Sequence, residues 1–121
     1  MKNSLLLEQT IDRLKAKHNI RVTIYWESYS KCQDLLGRSL GLARAFGLGV
    51  VIEQKDLFVY IERAEKSVAL MASPSLFKLI GQKNLDRIAD SMAHDMRNTW
   101  DHNAIAMGFM QLDLMMKKLK V

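Results

Sequence analysis

The residues best suited to chemistry form one polar cluster in the last third of the chain, namely His94, Asp95, Asn98, Asp101 and His102. An imidazole beside a carboxylate is a general acid or base whose tautomer the carboxylate fixes, and the same side-chain types at helical spacing bind zinc. One helix supplies too few metal ligands, however, and no serine or cysteine nucleophile is assigned to His94. The cluster is therefore a candidate polar site, with a solvated or interhelical polar face as the simpler interpretation. We expect no metal, no cofactor and no catalytic residue.

Part of this cluster resembles the phosphoacceptor helix of sensor histidine kinases. The resemblance rests on the segments AHDMRN, residues 93–98, and GFMQL, residues 108–112. It implies that His94 is the phosphoacceptor, that Asp95 is its general base and that Asn98 assists. The chain departs from the family pattern at Thr99, where proline is usual, and it leaves no room for an ATP-binding domain. A histidine phosphotransfer module is thus an alternative function.

Methionine is the other conspicuous residue type, because six of the chain's eight methionines lie in the same stretch. Methionine forms adaptable apolar surfaces that suit binding grooves, although core filling is the simpler interpretation. One helix of a small domain cannot bury apolar residues on several of its faces, so we expect some of them to bind a partner protein or a second copy, and we expect a homo-oligomer such as a homodimer. The expected binding residues are Met107, Met110, Met115, Met116, Lys117 and Lys118. The leading functional hypothesis is a non-enzymatic regulator or inhibitor that acts by binding another protein.

Charge and composition bound the remaining function classes. The net charge of +5 and the pI near 9.5 favour acidic partners, so a nucleic-acid-binding regulator is a further alternative. The basic residues are spread along the chain, and no zinc-finger spacing or RNA-binding aromatic signature accompanies them. A single cysteine, Cys32, excludes an internal disulfide framework and suits a reducing compartment, so we expect a cytoplasmic protein. No apolar run approaches the roughly 20 residues that span a bilayer, and we expect no membrane contact.

The polar cluster and the six methionines lie in a segment whose pattern predicts helix. Apolar residues recur at steps of three and four over residues 84–119, which places them on one helical face. Asn84 is a suitable N-cap. Residues 99–103 are the weak point, because Thr, Asp and Asn compete with the backbone for hydrogen bonds. Asp101 or Asn103 would then begin a second helix, and both a long bent helix and a helical hairpin remain open.

The rest of the chain alternates between helical and strand-like patterns. The sequence predicts a helix over residues 4–17, a strand over 20–26, a helix from Ser28 or Ser30 to Gly47, strands over 48–53 and 57–62, and a helix from Ser73-Pro74 to near Gly81. Residues 67–72 fit either a strand or a helical turn. The polar connection at 54–56 has hairpin length, so strands 48–53 and 57–62 are expected to pair antiparallel. We therefore expect a single α+β domain over residues 1–121, with a small antiparallel sheet of about three strands packed against helices.

Overall fold

The computed structural model describes residues 4–28, 35–51 and 53–119 and has an α+β fold. Within these ranges the elements are α1 (Ser4–His18), β1 (Ile20–Glu27), α2 (Leu35–Ala45), β2 (Lys55–Glu62), β3 (Ser67–Ala72), α3 (Pro74–Ile80), α4 (Gln82–Met96) and α5 (Asp101–Leu119). The start predicted for α2 at Ser30 lies outside the described residues, as does Cys32.

The sheet is mixed, so the expectation of a purely antiparallel sheet was wrong. The strand order is β1-β2-β3, with β1 parallel and β3 antiparallel to the central strand β2. The connection from β1 to β2 contains α2, and a connection of this kind returns the chain to the end where β1 began. The true hairpin joins β2 to β3 through residues 63–66, and the ambiguous segment 67–72 is a strand.

The strand predicted over residues 48–53 is also wrong for the residues that the structure describes there. They form turns that continue from the end of α2, with the Leu48 amide donating to the Ala43 carbonyl at 3.0 Å. Gly47 and Gly49 have φ values of +90° and +81°. These left-handed conformations reverse the chain locally and prevent an extended run.

The two faces of the sheet carry different apolar clusters. The main core combines one sheet face with α1, α3, α4 and α5, and its strand members are Ile20, Val22, Ile24, Trp26, Leu57, Val59, Ile61, Val68, Leu70 and Ala72. The reverse face packs against α2 through Phe58 and Tyr60, with Tyr25, Ala69 and Met71 around them. Because β2 is central and covered on both faces, both sets of its side chains are apolar.

The last third of the chain is a helical hairpin, with α4 and α5 separated at residues 97–100. The helix α4 begins at Gln82, so Asn84 is not its N-cap. The Asn84 side chain instead donates to the Ile80 carbonyl at 2.9 Å. Gly108 allows the two helices to approach closely, because a Cβ atom at this position would overlap the Met92 side chain.

Candidate functional site

Two of the five candidate polar residues, Asp101 and His102, lie where α5 meets the carboxyl ends of β1 and β2. The His102 ring stacks on Trp26 with centroids 4.8 Å apart. The Asp101 carboxylate lies 3.2 Å from Lys66 Nζ and 3.7 Å from Arg63 Nε. We call Trp26, Arg63, Lys66, Asp101 and His102 the sheet-end cluster. The carboxyl ends of parallel strands are the usual place for ligands in α/β sheets.

Most of the charged groups and aromatic rings of the sheet-end cluster contact one another. The guanidinium carbon of Arg63 lies 4.5 Å from the centre of the Trp26 ring. Asp101 stands in the first turn of α5, where a negative charge is favoured by the helix dipole. The buried Nε of Arg63 has no hydrogen-bond partner, since 3.7 Å to Asp101 is too long for one. These contacts fasten the start of α5 to the β2–β3 turn.

The other three candidate residues lie at the end of α4 and do not join the sheet-end cluster in a bonded network. His94 and Asn98 are exposed and Asp95 is half-buried. The Asn98 side chain donates to the His94 carbonyl at 3.0 Å, which closes the last turn of α4. Within the described residues, the His94 ring forms no hydrogen bond, and no three His, Cys, Asp or Glu side chains are grouped to hold a metal ion. The predicted polar site is therefore divided between two places.

A second ionic network, which the sequence analysis missed, joins α2 to the sheet. Arg38 donates two hydrogen bonds to the Glu27 carboxylate, at 2.8 and 2.6 Å, and the Tyr60 hydroxyl donates a third. The bonds from Arg38 and then Tyr60 lower the pKa of Glu27 from 4.5 to about 2, against a smaller opposing effect of burial. Glu27 in turn raises the pKa of Arg38. No local spacing signals this network, because its partners are far apart in sequence.

A buried histidine–aspartate pair connects α1 to α5. His18 Nε2 lies 2.7 Å from Asp113 Oδ1, and both side chains are almost fully buried. His18 Nδ1 has no partner, so the geometry favours the tautomer in which Nε2 carries the hydrogen and donates it. Burial raises the pKa of Asp113, but the bond from His18 and the nearby charge of Lys117 outweigh it, and the net pKa is lowered. The pair is structural, since it lies inside the helix interface.

The outer face of α5 carries a row of exposed apolar side chains. Met107, Met110 and Leu114 are 39%, 39% and 59% exposed, at helical spacings of three and four. We call these three residues the α5 stripe. Lys117 and Lys118 are exposed beyond its end. Leu114 was not among the expected binding residues, although its spacing from Met107 and Met110 places it on the same face.

The two remaining methionines of the expected binding surface lie on the other side of α5. Met116 is only 2% exposed and belongs to the core, and Met115 is half-buried against it. They were expected to bind a partner, but Met116 has no surface to offer. The exposed apolar surface of α5 is therefore narrower than the expected binding surface, and it includes Leu114.

Several of the basic residues that favoured a nucleic-acid partner already pair with carboxylates. The Arg21 guanidinium donates two hydrogen bonds to the Asp56 carboxylate, at 2.8 and 3.1 Å. Arg13 and Lys117 lie 3.9 and 3.6 Å from the Asp113 carboxylate.

In the described part of the chain, no helix combines the length and the apolar character required to cross a bilayer.

Comparison with known proteins identifies the fold and nothing further. No protein-family model matches the chain, and no curated protein matches it. The NMR structure of BA42 protein from the psychrophilic bacterium Bizionia argentinensis is similar with a TM-score of 0.83 and 9% identity, over 98% of this chain and 81% of that chain. The N-terminal domain of a protein from P. gingivalis, also solved by NMR, is similar with a TM-score of 0.80 and 16% identity, over 97% of this chain and 75% of that chain. The chain thus shares its α+β fold with these two proteins at low sequence identity.

Proposed function

We propose that this protein is a non-enzymatic regulator or inhibitor that acts by binding another protein on the outer face of α5. The observation that carries the proposal is the α5 stripe. Met107, Met110 and Leu114 stay exposed although the opposite face of the same helix is buried against α1 and α4. The fold does not need these three side chains to be apolar, so their character requires another explanation.

The chemistry of the stripe indicates the kind of partner. Methionine side chains are flexible and polarisable, so they adapt to partner surfaces of different shape. The stripe spans two turns of helix, about 10 Å, which suits packing against a partner helix or into a shallow apolar groove. Lys117 and Lys118 continue the surface beyond Leu114. The partner surface should therefore be apolar at its centre and acidic at one edge.

The test replaces the two methionines of the stripe. The double variant Met107→Lys/Met110→Lys should fold normally, because both positions are exposed, and should lose partner binding. The matched control is Val50→Lys/Val51→Lys, which places the same charges at two exposed apolar positions in the turns after α2. A photo-crosslinking amino acid at position 114, applied in lysate of the source cells, identifies the partner by mass spectrometry.

The outcomes separate the proposal from its alternatives. Support requires a crosslinked protein that is lost in the stripe variant and retained in the control, with unchanged melting curves. Light scattering of the pure protein distinguishes a second copy from a different partner, since homodimers would disappear in the stripe variant alone. Partner binding that survives in the stripe variant would contradict the proposal.

A further inference from the structure

The strand β3 has an open edge that lacks the usual protection against pairing. Within the described residues, β3 pairs with β2 alone, and its outer side faces no further strand. Edge strands of natural proteins are commonly blocked by charged residues or proline, because their free N–H and C=O groups otherwise pair with other chains. The six residues of β3 read SVALMA and include neither. The free N–H and C=O groups of this edge can therefore pair with another strand.

An open groove runs along this edge. Two neighbouring cavities of ≈ 430 and ≈ 360 Å³ follow β3 and share Leu70 and Gln82 in their linings. The first lies between β3 and α4, and the second continues towards Leu40 of α2 and Phe77 of α3. Together they border five of the six residues of β3, which is enough for an extended segment of about five or six residues.

The two sides of the groove differ in chemistry. On the side of α4, the exposed carboxylates Asp86 and Asp90 stand one helical turn apart. At the other side, Leu40 and Phe77 are exposed apolar side chains near Met71. Val68 and Leu70 of β3 pack into the core that contains α4, and Met71 packs into the cluster on the α2 face. A strand added to β3 would likewise send alternate residues towards α4 and towards α2.

We propose that this groove binds an extended segment of a partner protein in which basic and apolar residues alternate, and that the segment adds to β3 as a fourth strand. Backbone hydrogen bonds to the free edge supply the pairing. Lysine or arginine side chains of the segment face Asp86 and Asp90, and its apolar side chains face Leu40. This site is independent of the α5 stripe, and either can fail without the other.

The direct probe is a fluorescein-labelled hexapeptide, Lys-Val-Lys-Val-Lys-Val, with blocked termini. It should bind, whereas the matched peptide with glutamate in place of each lysine should not. Amide chemical shifts of the labelled protein should change in β3 and along α4, because the segment lies between them. N-methylation distinguishes strand addition from charge attraction. Methyl groups on one alternate set of peptide amides should abolish binding, and on the other set should leave it intact, since only one set faces β3.

Protein variants test the acidic side. Asp86→Asn/Asp90→Asn should weaken binding of the lysine peptide by about fivefold, the effect of two exposed ion pairs. Glu8→Gln/Asp12→Asn removes the same charge from exposed positions of α1 and should leave the affinity unchanged. Equal binding of both peptides, equal effects of the two methylation patterns, or shift changes centred on α5 would overturn the proposal. So would β3 pairing between two copies of this chain that the peptide cannot displace.

Discussion

The Glu27 carboxylate binds side chains from α2 and β2, and this makes part of the stability dependent on pH. Its pKa is about 2 in the folded protein against an ordinary value of 4.5. Since the folded state holds the proton less tightly than the unfolded state, the stabilisation is complete above pH 4.5 and is lost as the pH falls towards 2. In urea unfolding between pH 6 and pH 2.5, Glu27→Gln should therefore flatten this part of the pH dependence. Glu8→Gln, at an exposed position, should not change it, and parallel curves for Glu27→Gln and the parent would contradict the assignment.

The buried pair of His18 and Asp113 predicts different costs for two substitutions at one position. Asp113→Ala leaves both ring nitrogens of His18 buried without partners and should cost about 1–3 kcal/mol in the free energy of unfolding. Asp113→Asn keeps an acceptor oxygen for the His18 hydrogen and should cost less. Urea unfolding at pH 7 measures both values. Equal losses would show that the hydrogen bond contributes nothing beyond packing.

His94 is the residue on which the phosphotransfer alternative depends. It is exposed in the last turn of α4, so His94→Ala should change the free energy of unfolding by no more than about 0.5 kcal/mol. Under the proposed function, the variant should also keep its partner. The direct measurement is acid-labile phosphate on the protein after incubation with acetyl phosphate. Phosphate that appears on the parent and not on His94→Ala would establish the alternative.

At the level of helices and strands, patterns read over neighbouring residues predicted well and pairing did not. Helical periodicity located α1, α4 and α5, and strand-like patterns located β1 and β2. A strand was predicted over residues 48–53 because the segment contains β-branched residues. The prediction failed for the described residues because Gly47 and Gly49 adopt positive φ values, which the sequence does not show. The parallel pairing of β1 and β2 depends on the path of the chain through α2, which no local signal records.

The candidate sites show the same division between local and distant information. Helical spacing alone brought Met107 and Met110 to one surface, but whether Met116 faced solvent depended on how α5 packs against its neighbours. The partners of Asp101 and His102 could not be predicted, because Lys66 is 35 residues from Asp101 and Trp26 lies in the first strand. The Glu27 network was not predicted for the same reason, because Arg38 and Tyr60 are distant from Glu27 in sequence.

The contact between α4 and α5 at Gly108 gives a prediction about helix packing. A methyl group at position 108 would overlap the Met92 side chain, so Gly108→Ala should destabilise the protein by about 1–3 kcal/mol despite the better helix propensity of alanine. Met92→Ala removes the obstructing atoms at the cost of a cavity. The double variant should therefore lose less than the sum of the single variants, measured by urea unfolding. Additive losses would mean that the residues do not contact.

At the scale of the whole molecule, several of the positive charges on the described residues belong to small ion-pair groups. Arg13 and Lys117 share Asp113, and Arg63 and Lys66 share Asp101. Such exposed or half-exposed pairs add little stability individually, but they reduce the cationic surface offered to a polyanion. The count of 18 lysine and arginine residues thus overstates the number of cations that are free to contact phosphate groups.

This distribution predicts weak, non-specific binding to nucleic acid. Each phosphate that a free lysine or arginine neutralises adds about 0.9 to the slope of log affinity against log salt concentration. Basic residues on α1, β1 and the β2–β3 turn pair with Asp113, Asp56 and Asp101, and these pairs would have to break before the residues could contact phosphates. Fewer phosphates should therefore be neutralised than the number of basic residues suggests. Fluorescence anisotropy with a labelled DNA duplex and a labelled single-stranded RNA should show binding at 20 mM salt at most, with a shallow slope and no preference between them. Lys117→Gln/Lys118→Gln should lower that residual affinity only slightly. Tight binding that persists at 150 mM salt with a steep slope would make the basic surface, and not the α5 stripe, the functional one.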